Sequence, residues 1–141
     1  MDEELFQSDQ HPESRRWAIV EDDGKSCWLY LTEADSTRIV AHCWLYNRVP
    51  APSGRIFKRG ETPIVPAEFV VDPAPFPALV PTSVAFRWTR DGQAVAVHLG
   101  GELMGYLALP ARFGFSRNLK TPGPYGSPLD LDAYARTFDQ G

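Results

Sequence analysis

Two dipeptide turns, Asp91-Gly92 and Gly100-Gly101, constrain the fold of this chain more than any other feature of its sequence. Both are typical two-residue hairpin loops, because such loops need residues that tolerate a positive φ. They separate three runs of strand length, residues 82–90, 93–99 and 102–110. The sequence therefore predicts an antiparallel three-stranded meander over residues 82–110.

The turns also predict the register of this meander. A two-residue loop at each turn pairs Arg90 with Gln93 and Leu99 with Glu102. The strand pairs that follow are Trp88–Val95, Phe86–Val97, Val84–Leu99, Val97–Met104 and Val95–Tyr106. This register collects the large apolar side chains on one face, and it predicts that Phe86, Trp88, Val95 and Val97 are nearly fully buried.

A second meander is predicted over residues 15–48, with strands at 15–21, 26–32 and 37–48. The last strand alternates between an aliphatic and a largely aromatic face, so we expect it to be central. The preferred register has a three-residue turn at 34–36. It pairs Leu31 with Ile39, Leu29 with Ala41 and Cys27 with Cys43. An alternative with a five-residue turn places Cys27 opposite Ala41.

The remaining segments complete a single β-rich domain over residues 15–141, after a mobile acidic tail at 1–14. Residues 49–81 contain eight prolines, and we expect them to wrap the sheets and to pack Phe57, Phe69, Phe76 and Leu79 against them. Residues 111–127 form a basic loop. Residues 128–138 form a helix with Ser127 as N-cap and Pro128 at its first position.

The fold class that these patterns predict is all-β. Two antiparallel three-stranded meanders form a sandwich or an open barrel, with one short C-terminal helix. With 141 residues and 43% apolar residues, the chain is long enough to bury a core.

Composition excludes several classes of function. A net charge of −4 argues against a nucleic-acid partner, which requires a basic surface. No apolar run has the length of a membrane span, and the acidic start has no signal-peptide pattern, so we expect a cytoplasmic protein without a membrane partner. The two cysteines lack the spacing of a zinc site, and no motif indicates another metal or a cofactor.

The first candidate site is the aromatic face of the first meander. Its members are Trp28, Tyr30, His42, Trp44 and Tyr46. A row of amphipathic rings on a strand face is typical of stacking platforms for sugars, peptides or bases. The alternative is that these rings form a second buried face, covered by the proline-rich segment or the helix.

The second candidate site is the basic loop, where Arg112, Arg117 and Lys120 concentrate positive charge in an acidic protein. Such a loop suits an anionic ligand or an acidic protein surface. The alternative is a solvated loop that Phe113 and Phe115 anchor to the core.

We therefore expect a small non-catalytic binding protein whose partner is a protein or a small anionic ligand, with an inhibitor-like or immunity-like role as one form. No signal bears on its oligomeric state. The alternative function is a small enzyme or small-molecule carrier with a pocket between the sheets, which would use His42 or His98 together with Arg87.

Overall fold

The computed structural model describes residues 5–52, 64–77 and 81–139. The first sheet has four antiparallel strands in the order β1-β2-β3-β4. These strands are β1 (Leu5–Gln10), β2 (Trp17–Asp22), β3 (Ser26–Thr32) and β4 (Ile39–Asn47). The sequence predicted only three strands here.

The second sheet has five strands in the order β5-β6-β7-β8-β9, where three were predicted. They are β5 (Val84–Trp88), β6 (Ala94–Leu99), β7 (Glu102–Ala108), β8 (Phe115–Ser116) and β9 (Ser127–Pro128). The two short added strands come from the predicted basic loop and its C-terminal end, and β8 pairs with β9 in parallel.

The two sheets pack face to face around one apolar core and do not close into a barrel, which confirms the predicted fold class. The first sheet contributes Val20, Leu29 and Leu31, and the second contributes Val95, Val97 and Leu107, all of them 0% exposed. Helix α1 (Leu131–Phe138) covers the outer face of the second sheet, where Phe138 packs against Tyr106.

The register predicted for the second meander is confirmed between β5 and β6 and is wrong in part between β6 and β7. Leu99 does lie opposite Glu102, but Met104 is an extra residue in β7, so Val97 faces Gly105. This β-bulge turns Leu107 into the core and places Tyr106 on the opposite face, the reverse of the prediction.

Phe86 and Trp88 are only partly buried, although the sequence predicted nearly full burial. They lie on β5, an edge strand, where one side of each ring has no neighbouring strand. The indole Nε1 of Trp88 donates a hydrogen bond to Asp9 Oδ2 at 2.8 Å. Trp88 thus joins the edge strands of the two sheets at the rim of the core.

The predicted pairing of Cys27 with Cys43 is wrong. Leu29 lies opposite Cys43, and Cys27 lies opposite Tyr46. The β3–β4 turn has four residues instead of three, because Glu33 N donates to Arg38 O at 2.9 Å, and β4 carries an extra residue near each end. Both thiols are nevertheless buried on the core face of the sheet, and both are free.

The first fourteen residues were predicted to form a mobile tail, but β1 lies within them and pairs with β2 along six residues. His11, just after β1, is buried against the Trp88 ring at a centroid distance of 5.2 Å. The apolar residues of β1 are few, and the prediction missed the strand for that reason.

The proline-rich segment wraps the first sheet where it is described. Phe69 packs on the outer face of the sheet, and Phe76 stacks on Tyr46 at a centroid distance of 4.4 Å. Phe57 and Leu79 lie outside the described residues. The helix begins three residues later than predicted, because Asp130 is the N-cap and accepts a hydrogen bond from Ala133 N at 3.0 Å.

Replacement of Leu29 by alanine tests the core. Leu29 is 0% exposed on β3, so we expect Leu29→Ala to lower the free energy of unfolding by about 2–5 kcal/mol through loss of burial and cavity formation. Ile39→Ala is the control, since Ile39 is 45% exposed and its truncation should change stability by only about 0.5 kcal/mol. Urea denaturation followed by tryptophan fluorescence measures both. A loss below about 1 kcal/mol for Leu29→Ala would contradict this packing.

Candidate functional site

Trp28 and Trp44 lie opposite each other on the outer face of the first sheet, the face turned away from the second sheet. They are 5% and 2% exposed. The segments that cover them are residues 64–70 and the loop after β8, through Val65, Val70, Leu119 and Tyr125. The two tryptophans of the predicted stacking platform are therefore buried under other segments of the chain, as the alternative interpretation of a second buried face expected.

Backbone hydrogen bonds attach this cover to the edge of β4 that does not pair with β3. His42 N donates to Arg112 O at 2.9 Å, and Gly114 N returns a bond to His42 O at 3.1 Å. Trp44 N donates to Tyr125 O at 3.0 Å. Gly114 also lets the loop lie close to β7, because a Cβ there would collide with the carbonyl oxygen of Tyr106.

Tyr46 does not lie on the aromatic face. Leu45 is an extra residue in β4, so Leu45 and Tyr46 both turn into the core. The Tyr46 hydroxyl donates to Asp22 Oδ2 at 2.9 Å, and Arg48 reaches the same oxygen at 2.9 Å. Burial raises the pKa of Tyr46, which therefore stays a neutral hydrogen-bond donor inside the fold. Its role is structural.

The other half of the outer face is not covered by any described residue. The strand registers align Ser8 with Ile19, Ile19 with Tyr30, and Tyr30 with His42 across the four strands. Phe113 continues this row, because its bridge to β4 places its ring 5.0 Å from that of His42. We name this half the outer patch. Its residues are Phe6, Trp17, Ile19, Tyr30, Ile39, His42 and Phe113.

The outer patch collects exposed apolar surface. Five large hydrophobic side chains are exposed among the described residues, and three of them lie here: Phe6 at 60%, Phe113 at 46% and Ile39 at 45%. Contiguous apolar surface of this kind marks interaction sites in soluble proteins. The sequence predicted only Tyr30 and His42 as members. The apolar residues on both faces of the predicted strand at 15–21 were the available signal for Trp17 and Ile19.

The titratable side chains of the outer patch are neutral at pH 7. Burial lowers the pKa of His42, the Pro124 carbonyl opposes this shift, and the Arg112 charge adds to it. Burial raises the pKa of Tyr30 to about 12, with a smaller contribution from Glu21. The patch therefore presents rings and neutral polar groups instead of charges.

The three cations of the basic loop have different surroundings. Arg117 donates through Nε to Leu103 O at 2.7 Å and lies 3.9 Å from Glu102. Arg112 lies beside His42, while the backbone N of Lys120 donates to Phe69 O. No contact among the described residues joins their side chains around a common point, and the anion site stays a prediction.

The residues of the predicted pocket between the sheets lie on opposite outer faces. His42 is on the first sheet, whereas His98 and Arg87 are on the helix side of the second. Arg87 donates to the Tyr134 hydroxyl and to Asp139 Oδ1, both at 2.9 Å, and so fastens the helix to its sheet. His42 therefore cannot act together with Arg87. His98 and Arg87 share a face, but this face is the outer face of the second sheet and not the space between the sheets.

The cavities at the surface of the described structure include the following three. The first, of about 490 Å³, is an open groove at the β5–β6 turn beside the end of the helix; Arg90 and Asp91 are among its lining residues. The second, of about 240 Å³, lies between β4 and the proline-rich segment, and its lining includes Trp44, Tyr46 and Phe76. The third, of about 230 Å³, belongs to the outer patch and lies between Phe6, Trp17 and Ile19. In the described part of the chain, no three His, Cys, Asp or Glu side chains gather as metal ligands would.

Comparisons with known protein families, with curated proteins and with solved structures find no match to this chain. Within the described residues, no helix has the length and apolar character required to cross a bilayer.

The titration of His42 tests the local structure of the patch. We expect the NMR ring resonances of His42 to titrate below the usual 6.5, because burial and Arg112 disfavour the imidazolium. Arg112→Ala should move this midpoint upward, since it removes a like charge. The unfolded chain takes up the proton first as pH falls below 6.5, so protonation of His42 disfavours the fold. A midpoint at or above 6.5 in the unaltered protein would contradict this environment.

Proposed function

We propose that this protein is a non-catalytic binding protein that contacts a protein partner through the outer patch. The observation that supports it most is the concentration of exposed apolar side chains on one half of one sheet face, with Phe6, Ile39 and Phe113 at its margins. Aromatic residues are enriched in protein interfaces because they bury much area at a small cost in conformational entropy.

The interior of the sandwich supports a binding role over the alternative of an enzyme or carrier with a pocket between the sheets. The side chains at its centre are 0% exposed, and they include Leu29, Val97 and Leu107. Small-molecule sites are concave and typically of about 300–1,000 Å³, whereas the outer patch is flat apart from one small groove. A flat, neutral, partly aromatic surface suits a protein surface better than a small anion.

The net charge of −4 supports a protein partner over a nucleic acid. Two free buried thiols suit a reducing compartment, and we propose a cytoplasmic location on this ground. An inhibitor-like or immunity-like role is one form of this proposal, in which the bound partner is an enzyme and the patch covers part of its surface.

A charged substitution in the patch tests the proposal. Phe113→Asp should weaken the complex by about 2 kcal/mol or more, roughly thirtyfold in Kd, because it places a carboxylate in a desolvated contact. The matched control is Leu131→Asp, since Leu131 is 61% exposed on the helix, away from the patch. Both substitutions are on the surface and should leave the fold intact.

The measurement begins with quantitative capture from the native lysate on the unaltered protein and both variants. It continues with the Kd of the purified complex. We expect a protein that is captured by the unaltered chain and by Leu131→Asp and is lost with Phe113→Asp. Ile39→Asp is a second patch variant if Phe113→Asp does not fold. Equal capture of every protein by all three folded chains would contradict the proposal.

A further inference from the structure

The free edge of the first sheet is β1. One neighbour, β2, makes every backbone hydrogen bond that β1 forms with the described residues. The opposite edge of the sheet, β4, is occupied by Arg112, Gly114 and Tyr125. An edge strand turns alternate N–H and C=O groups outward, where they are available to another strand.

The outward groups of β1 can be assigned. His11 N donates to Arg16 O at 2.9 Å, in the same register as the β1–β2 ladder. Since ladder bonds alternate, Asp9 and Gln7 also bond toward β2. The N–H and C=O groups of Phe6, Ser8 and Gln10 then point away from the sheet. The Phe6 carbonyl accepts a hydrogen bond from Gln7 Nε2 at 3.0 Å, an exposed contact that an added strand would replace.

β1 has few of the features that normally protect an edge. Its sequence, LFQSDQ, contains neither lysine nor proline, and its one charged residue is Asp9. Its six pairs with β2 follow one register without a bulge. The short 3-10 helix Pro81–Ser83 lies near β1, so part of the strand has a neighbour besides β2. Proteins usually block an exposed edge with charges, prolines or bulges, because a regular edge recruits further strands. A regular edge with little protection next to an exposed apolar patch indicates a surface for strand addition.

The groove beside this edge is about as large as a single bulky side chain. It has a volume of about 230 Å³ and its lining includes Phe6, Ser8, Trp17 and Ile19. Ser8 is small and lies opposite Ile19, so it leaves room beside Phe6 for a large side chain from an added strand. The volume is below that of typical small-molecule sites, which are about 300–1,000 Å³.

The charges around β1 are mainly negative. Asp9, Glu13 and Glu21 lie on or beside it, and in sequence Asp2-Glu3-Glu4 precedes it. Two of the nearby arginines form ion pairs, Arg15 with Asp35 at 2.9 Å and Arg38 with Glu33 at 3.0 Å. The third, Arg16, donates to the carbonyl oxygen of Thr32 at 2.9 Å and keeps its positive charge, so the carboxylates on or beside β1 outnumber it. Electrostatic complementarity therefore favours a basic partner segment.

We propose that an extended, basic segment of the partner adds to β1 as a fifth strand and places a large apolar side chain in the groove at Ser8. The proposal rests on the proposed function, because the segment belongs to the partner that covers the outer patch. In this mode the main chain supplies hydrogen bonds and alternate side chains supply specificity.

The probe is a synthetic capped peptide, Lys-Val-Lys-Leu-Lys-Val-Lys, titrated into the full ¹⁵N-labelled chain. We expect chemical-shift changes and slowed hydrogen exchange at the amides of Phe6, Ser8 and Gln10. Two N-methylated versions of the peptide each block one of the two alternating sets of backbone N–H groups, and their side chains are unchanged. One of them should bind about tenfold more weakly, through the loss of its hydrogen bonds to β1, and the other should bind as the parent does. The acidic peptide Glu-Val-Glu-Leu-Glu-Val-Glu should bind more weakly than both N-methylated versions.

Two variants of the protein make the test specific. Ser8→Pro removes an outward N–H, which an edge strand tolerates, and Ser8→Lys places a charge in the groove. Each should weaken peptide binding at least about tenfold. The matched control is Ala85→Lys, an exposed position on β5, the edge strand of the other sheet, and it should bind the peptide normally.

Failure of the peptide to bind, equal binding of the two N-methylated versions, or shifts centred on β5 would overturn strand addition. Protection of the β1 amides only through a concentration-dependent dimer would also overturn the proposal, since the occupant of the edge would then be a second copy of the chain. A partner captured through Phe113 and unaffected by Ser8→Pro would overturn strand addition and leave the proposed function standing. Loss of that partner with Ser8→Pro would support both.

Discussion

The covering of the β4 edge is the constraint on which the rest of the structure depends. His42 bonds to Arg112 and Gly114 in the loop between β7 and β8, and Trp44 bonds to Tyr125 in the loop between β8 and β9. These two loops flank β8 and close one side of the sandwich, and the second loop covers the two tryptophans of the outer face together with residues 64–70. No described residue covers the far half of that face, and within the described chain β1 pairs with β2 alone.

The sequence predicts the sheet architecture where turn chemistry determines it. Asp91-Gly92 and Gly100-Gly101 set the β5–β6 register and the start of β7 correctly. The register errors occur at the β3–β4 turn, which has four residues instead of three, and at three extra residues, Val40, Leu45 and Met104, where one strand has two residues opposite one. A bulge depends on how two sheets twist and pack against each other, and an isolated strand pattern carries no local signal for it.

The candidate site was predictable to a smaller extent. Tyr30 and His42 could be assigned to an aromatic strand face, because alternation places them there. Which rings on that face are covered depends on contacts far apart in sequence, such as that of Trp28 with Tyr125, and no local pattern reports them. Phe6 was missed because β1 has few apolar residues. Phe113 was predicted as part of the basic loop, with anchoring to the core as its alternative role, whereas it extends the row of rings.

Amide hydrogen exchange of the free protein, followed by NMR at dilute concentration, tests the central claim most directly. The account predicts strong protection of the His42 and Trp44 amides, because the loop accepts their hydrogen bonds at the β4 edge. It predicts rapid exchange of the Phe6 and Ser8 amides, since these point outward from β1 and no hydrogen bond joins them to another described residue. Rapid exchange of His42 and Trp44, or protection of Ser8 in the monomer, would contradict it.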